Sequence, residues 1–364
     1  MQDFFMTRVG LTYNKNHALH DYMLKGFPSP ENKRRLDSII DYLKKNDDIL
    51  DGNKCQLFSD ASASVEDIYR VHTKEYVDFV KEYADKGGGF LGKDTYVCKE
   101  SYEVLLQAVG CVLKAGDLVT EDGFDHSFAL IRPPGHHAGV DTYGGFCLFN
   151  NAAILTRYLQ YVKGMKNIAI INIDAHASNG TQSIFYSDPS VLCISIHQDP
   201  STIYPHDGFM NQIGTRPALG YNINMEMPPE CGNKEYDIFF ENIAQKILEQ
   251  FSPDLIIIEC GFDAYYKESL TAMNLTPEGY YNIISRISNR WKTVVLLEGG
   301  YNEDLGLLSS VVLEGLLGEH KFNDNIDKIS LLLSRRTKSR EQFEEKVKII
   351  KNTLNGYWNL QNTH

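Results

Sequence analysis

Residues 167–173 read Asn-Ile-Ala-Ile-Ile-Asn-Ile, an apolar run interrupted by one internal amide. In extended backbone successive side chains point to opposite faces, so a run of this kind is apolar on both sides. Such a strand belongs in a parallel sheet covered by helices on each face. Similar runs recur at 127–131, 191–196, 255–259 and 294–298, and a first strand is predicted over 5–13. Between them lie segments of helical periodicity at 36–43, 65–83, 101–115 and 150–162. Strands alternating with helices predict an α/β fold: a central, mostly parallel sheet with helices on both faces. With no internal repeat and no low-complexity linker, the whole chain, 1–364, reads as one domain with a polar helical segment from about 321.

Composition narrows the function. The formal net charge is −12 and no dense Lys/Arg block exists, so direct binding to nucleic acid is not expected. Basic peptides and polyamines remain compatible partners. The seven cysteines are scattered and form no C-x-x-C pair, which favours a reducing compartment over a disulfide framework. The N-terminus lacks a basic n-region, and no apolar run approaches membrane-spanning length. A cytoplasmic location without membrane attachment follows as the expectation. Oligomeric state is open between a monomer and a homo-oligomer.

Reactive residues cluster just past the strands. Asp174 and His176 follow the isoleucine run, and a two-residue spacing in extended backbone turns both side chains the same way. The 127–131 strand ends in Arg-Pro-Pro-Gly-His-His, where two prolines bar a helix and the glycine permits a turn. Asp263 follows the strand at 255–259, and Tyr301 the strand at 294–298. Each alone has an ordinary reading as a helix cap, a polar core residue or a packing aromatic. Four at the same end of one sheet, where α/β folds bind ligands, point instead to a site. Asp174, His176 and Asp263 form an Asp, His, Asp set suited to zinc with an open position for water and substrate.

The chain closely resembles the histone deacetylase family, including its bacterial deacetylase and acetylpolyamine amidohydrolase members. The resemblance rests on Arg-Pro-Pro-Gly-His-His-Ala at 132–138, Gly-Gly-Phe-Cys at 144–147, Asp-Ala-His at 174–176 with Asn-Gly-Thr-Gln at 179–182, Gly-Phe-Asp at 261–263, and Glu-Gly-Gly-Tyr-Asn at 298–302. It implies an arginase-like three-layer α/β fold and zinc-dependent removal of an acyl group from an amine. It further implies that Asp174, His176 and Asp263 bind Zn²⁺. His136 and His137 would handle protons on the attacking water and the leaving amine, and Tyr301 would donate its hydroxyl to the amide carbonyl. Phe146 and Tyr204 would wall a narrow acyl-lysine channel, Gly145 would also contact substrate, and Cys147 would line the channel rather than react. Asp94 would grip substrate backbone amides. A potassium ion beside the zinc loop would draw on Asn172, Asp174, His176, Ser195 and Ile196, several through backbone carbonyls.

The match departs from the family pattern at Asn172, where an aspartate is usual, and at Ala177-Ser178, where His-Gly is usual. An amide at 172 can still accept a hydrogen bond but adds no negative charge, so His136 is expected to be less basic than its counterparts. Asn179, near the other histidine, is a variant shared by many members. A ureohydrolase reading is disfavoured because Ser178 stands where a fifth-position aspartate would be needed and the carboxylate signature around Asp263 is absent. A degenerate binding module is disfavoured by the intact ligand and histidine set. For substrate, Leu270 aligns with the gatekeeper of lysine-deacylating members, whereas polyamine-selective relatives carry an acidic residue there. Glu268 lies two positions away, and a shifted loop would exchange the two. Acyl-lysine side chains are therefore the first expectation and acetylpolyamines the second.

Overall fold

The computed structural model of the chain describes residues 6–21, 26, 28–46, 50, 53–59, 61–322 and 337–361. Eight parallel strands form its centre: β1 (Val9–Tyr13), β2 (Cys55–Phe58), β5 (His126–Leu130), β6 (Ile168–Asn172), β7 (Val191–Gln198), β8 (Asn222–Met227), β9 (Leu255–Cys260) and β10 (Thr293–Leu297). Their order across the sheet is β2-β1-β5-β10-β9-β6-β7-β8. A short antiparallel hairpin, β3 (Gly89–Leu91) with β4 (Thr95–Val97), stands apart from it.

The sheet is buried on both faces. Residues of β6 divide by alternation: Ala169 and Ile171 join one hydrophobic cluster, Ile168 and Ile170 the other. Burying each such aliphatic side chain is worth roughly 1.5–3 kcal/mol, which sets the register against a one-residue slip. Helices Arg34–Lys45, Pro277–Ser288 and Leu305–Leu317 cover one face, and Ser101–Thr120 with Asn151–Tyr161 cover the other. The α/β architecture with a parallel sheet between helical layers is thus as expected, and it is arginase-like.

Several boundaries differ from the sequence expectation. The helix predicted over 65–83 is two helices, Val65–Ile68 and Lys74–Asp85. Thr73 caps the second, its hydroxyl accepting from the Tyr76 amide at 3.3 Å, and its own N–H goes to the Val140 carbonyl. The predicted first strand begins at Val9, and residue 5 lies outside the described residues. Of the helical tail, Thr337–Leu354 is described as one helix, and 323–336 lie outside. All seven cysteines are buried and none is in a disulfide. Among the described residues no helix is long and apolar enough to cross a membrane.

Candidate active site

β5, β10, β9 and β6 are consecutive neighbours at the middle of the sheet, so the four polar segments that leave their carboxyl ends emerge side by side. The sequence points to fourteen site residues, three catalytic, five for substrate, three for zinc and three more for potassium, of which the first eleven belong together. All eleven line one cavity of about 420 Å³. Asn172, Ser195 and Ile196 do not. They sit behind it, buried in β6 and β7.

At the cavity floor His176 Nδ1 lies 3.0 Å from Asp174 Oδ1 and 2.9 Å from Asp263 Oδ2. The second oxygen of each carboxylate is fixed by backbone: Gly299 N–H donates to Asp174 Oδ2 at 2.8 Å, and Ala175 N–H to Asp263 Oδ1 at 2.7 Å. The other oxygen of each faces the imidazole, and Asp174 Oδ1 also accepts from the His176 N–H at 2.8 Å. Both glycines beside them are required by space. A Cβ on Gly261 would fall 2.0 Å from Asp174 Oδ2, and one on Gly299 2.6 Å from Asp263 Oδ2. The ligand atoms of Asp174, His176 and Asp263 all lie within 4.8 Å of one another. Two buried carboxylates facing one imidazole need a positive charge between them. The same demand shows in the imidazole itself, which the flanking Asp263 and Asp174 hold up at about 10 against the penalty of its burial. The donor set fits a dication with nitrogen and oxygen preference.

The tandem histidines stand beside this floor, ring centroids 4.0 Å apart. His136 Nδ1 donates to Asn172 Oδ1 at 3.2 Å, and His137 Nδ1 pairs with Asn179 Oδ1 at 2.7 Å. Both partners are neutral amides. Burial, then the neighbouring imidazoles, keeps both below the ordinary histidine range, His136 at about 4. Tyr204 meets His137 edge-on at 4.9 Å, and Phe146 meets Tyr301 at 5.8 Å, so both rings stand at the edge of the cavity. Cys147 lies beneath rather than along them, its thiol bonded to the Gly145 carbonyl and pushed up by burial.

Tyr301 is set by residues that the motifs did not reveal. The Arg35 guanidinium lies 4.9 Å from its ring centroid and donates to the Gly300 carbonyl at 2.8 Å. Glu31 anchors the fully buried Arg132 through two 2.8 Å bonds and pairs with Arg35 as well. Burial pushes the Tyr301 phenol well above its usual value despite Arg35, so its oxygen keeps its proton. His206 also lines the cavity, at φ 61°, and donates from Nδ1 to the Pro200 carbonyl. Its only sequence signal was the turn-like Tyr-Pro-His-Asp-Gly. At the rim, Asp94 sits in the β3–β4 turn and Leu270 is half exposed. Glu268 points away from the cavity, its Oε2 accepting from Tyr301 N–H and Asn302 Nδ2.

A parallel sheet carrying buried carboxylates, imidazoles and a phenol at adjacent strand ends is the layout of a hydrolase that works through a metal centre. The histone deacetylase domain profile matches residues 29–314. A probable deacetylase of Archaeoglobus fulgidus is 31% identical over 363 residues, covering 96% of this chain and 98% of that protein. A histone deacetylase-like amidohydrolase of Pseudomonas aeruginosa is 34% identical over 281 residues, covering 76% and 72%. The crystal structure of the HDA15 HD domain superposes with a TM-score of 0.85 at 30% identity, covering 97% and 95%. The chain belongs to the histone deacetylase family, a zinc-dependent family, and is a hydrolase acting on amide bonds.

Proposed function

We propose that this chain is a single-domain zinc deacylase that hydrolyses the side-chain amide of N-acyl-lysine in peptides or proteins. The observation that carries the reading is the convergence of Asp174, His176 and Asp263 on one point, flanked by His136, His137 and Tyr301. When bound there, Zn²⁺ supplies Lewis acidity that polarises the amide and makes water a competent nucleophile. His136, with its proton on Nδ1 committed to Asn172, presents a bare Nε2 to the cavity and accepts the proton of the attacking water. Its neighbour His137 serves the same proton inventory, so that the leaving amine departs protonated. Tyr301 donates its hydroxyl to the carbonyl oxygen as negative charge develops on it. Phe146 and Tyr204 flank the aliphatic stem of the lysine and exclude water from it.

Leu270, not Glu268, faces the cavity, and Glu268 is committed to backbone amides. An apolar rim favours a neutral acyl-lysine stem over the second ammonium of an acetylpolyamine. Kinetics on acetyl-lysine peptides beside N-acetylputrescine and N-acetylspermidine, with metal analysis of the same sample, test the proposal. One zinc per chain and a higher kcat/KM on the peptides are expected. A higher value on the acetylpolyamines would transfer the assignment to that substrate class, and a metal-free, inactive protein would remove it.

A further inference from the structure

Asn172 lies behind the tandem histidines, where a family member usually has an aspartate, and its orientation can be assigned. The backbone carbonyl of His176 can only accept, so the Asn172 atom 2.9 Å from it is the amide nitrogen. The same nitrogen donates to Ser195 Oγ at 3.0 Å and faces the Asp174 carbonyl at 3.5 Å. Ser195 in turn pairs with His197 Nδ1 at 2.8 Å, and His197 Nε2 donates to the Gly208 carbonyl at 2.9 Å. On its other side Asn172 Oδ1 takes the proton of His136 Nδ1. Every group along this line has a partner of the right kind.

The oxygens gathered around Asn172 Nδ2 are three of those nominated for a potassium ion: the carbonyls of Asp174 and His176 and the hydroxyl of Ser195. We propose that the Asn172 amide replaces that ion, and that this chain binds no monovalent cation at the zinc loop. An aspartate there would need a cation to separate its second oxygen from three other acceptors. The amide meets those acceptors with its own N–H groups, so a neutral side chain stands for a carboxylate plus K⁺. The two arrangements exclude each other. With Nδ2 inward, its positive hydrogens oppose a cation. With the amide turned over, Nδ2 would face His136 Nδ1 and drive the proton of His136 onto Nε2, the nitrogen 4.0 Å from Asp174 Oδ1. The inference goes beyond the deacylase reading and does not depend on it.

Thermal melting of the full-length, metal-loaded protein in KCl and in choline chloride at equal ionic strength tests it. A ligand that binds only the folded state raises Tm in proportion to its saturation. The wild type is expected to melt at the same temperature in both salts and to turn over substrate equally in both. Asn172→Asp is expected to melt at least about 3 °C higher in saturating KCl than in choline chloride. A potassium-specific Tm rise in the wild type would overturn the proposal, as would an Asn172→Asp protein indifferent to the two salts. Should the variant be insoluble, the wild-type comparison decides alone.

Discussion

The carboxylate of Glu268 accepts a hydrogen bond from the backbone N–H of Tyr301 at 2.8 Å. Its other oxygen accepts from the Ser269 and Leu270 amides at 2.9 and 3.4 Å. One side chain therefore ties the backbone of the phenol to the loop that carries the apolar rim. Glu268→Ala leaves all four donors without their acceptor and loosens Tyr301 relative to the floor. A displacement of about 1 Å in such a group costs on the order of 100-fold, so kcat is expected to fall about 10–100-fold with a smaller change in KM. Glu268→Gln keeps one acceptor oxygen and should fall between. Steady-state kinetics on one acetyl-lysine peptide separates the two parameters, and an unchanged kcat in the alanine variant would refute the role.

Tyr301→Phe removes only the hydroxyl. The Arg35 contact, the Phe146 contact and the Glu268 bond to the backbone all survive, so folding is expected to be normal by circular dichroism and melting. Loss of one preorganised oxyanion donor typically costs about 10²–10³ in kcat. Full turnover in this variant would show that the phenol does not act on the carbonyl.

Much of the site was legible because its chemistry sits at strand ends. β5, β6, β9 and β10 are short and largely apolar on both faces, as a covered parallel strand is, and a polar or glycine-containing segment follows each within a few residues. β8 was not legible. It reads Asn-Ile-Asn-Met-Glu-Met, the alternation of a half-solvated strand, yet all six residues are buried. Gln182 donates to Asn224, Asn222 Nδ2 donates to the Gln212 carbonyl, and Lys346 pairs with Glu226, contacts made from outside the strand. The break at Thr73 was hidden for a similar reason, since the amide it releases is taken by Val140 in a remote loop. The support that Glu268 and Arg35 give to Tyr301 and Gly300 was not readable because it goes to backbone groups, and backbone partners leave no residue pattern.

Acid sensitivity follows from the buried imidazoles. Burial is the main cause in each case: His17 is pushed down to about 3, and His20, His72, His126 and His197 to about 4. In the unfolded chain all five titrate near 6.5. Between those values the unfolded state binds more protons, so stability is fully present above about 6.5 and is lost as pH falls towards about 4. Outside the Asp174, His176 and Asp263 cluster, two buried carboxyls act in the opposite sense. Glu259, pushed up to about 8, and Glu298, also raised by burial, favour the folded state as pH falls through this window. Five imidazoles outnumber them. The urea midpoint is expected to decline steeply from about pH 6 to about pH 4.5, and a flat profile there would contradict the buried neutral assignment.

Lys346 extends the site to the C-terminal helix, beyond the matched family domain. Its ammonium contacts Asp199 at 2.9 Å and also bonds Glu226. Asp199 opens the loop that carries Tyr204 and His206, and its Oδ1 holds Ser201 N–H and the Ser201 hydroxyl. Glu226 Oε1 takes the Met210 N–H at 2.8 Å and so closes the same loop. A single cation thus clamps both stems of a cavity wall, and burial does not remove its charge because the two carboxylates hold its pKa above the usual lysine value. Lys346→Met leaves the buried Glu226 and the half-buried Asp199 without their shared cation and frees the wall beside His137. KM for an acyl-lysine peptide is expected to rise roughly tenfold, about 1.4 kcal/mol, with kcat changed less, and Lys346→Arg should restore most of it. A lysine that merely fastens the helix would lower Tm and leave KM where it was, so measuring both in the same variant distinguishes a wall support from a surface tether.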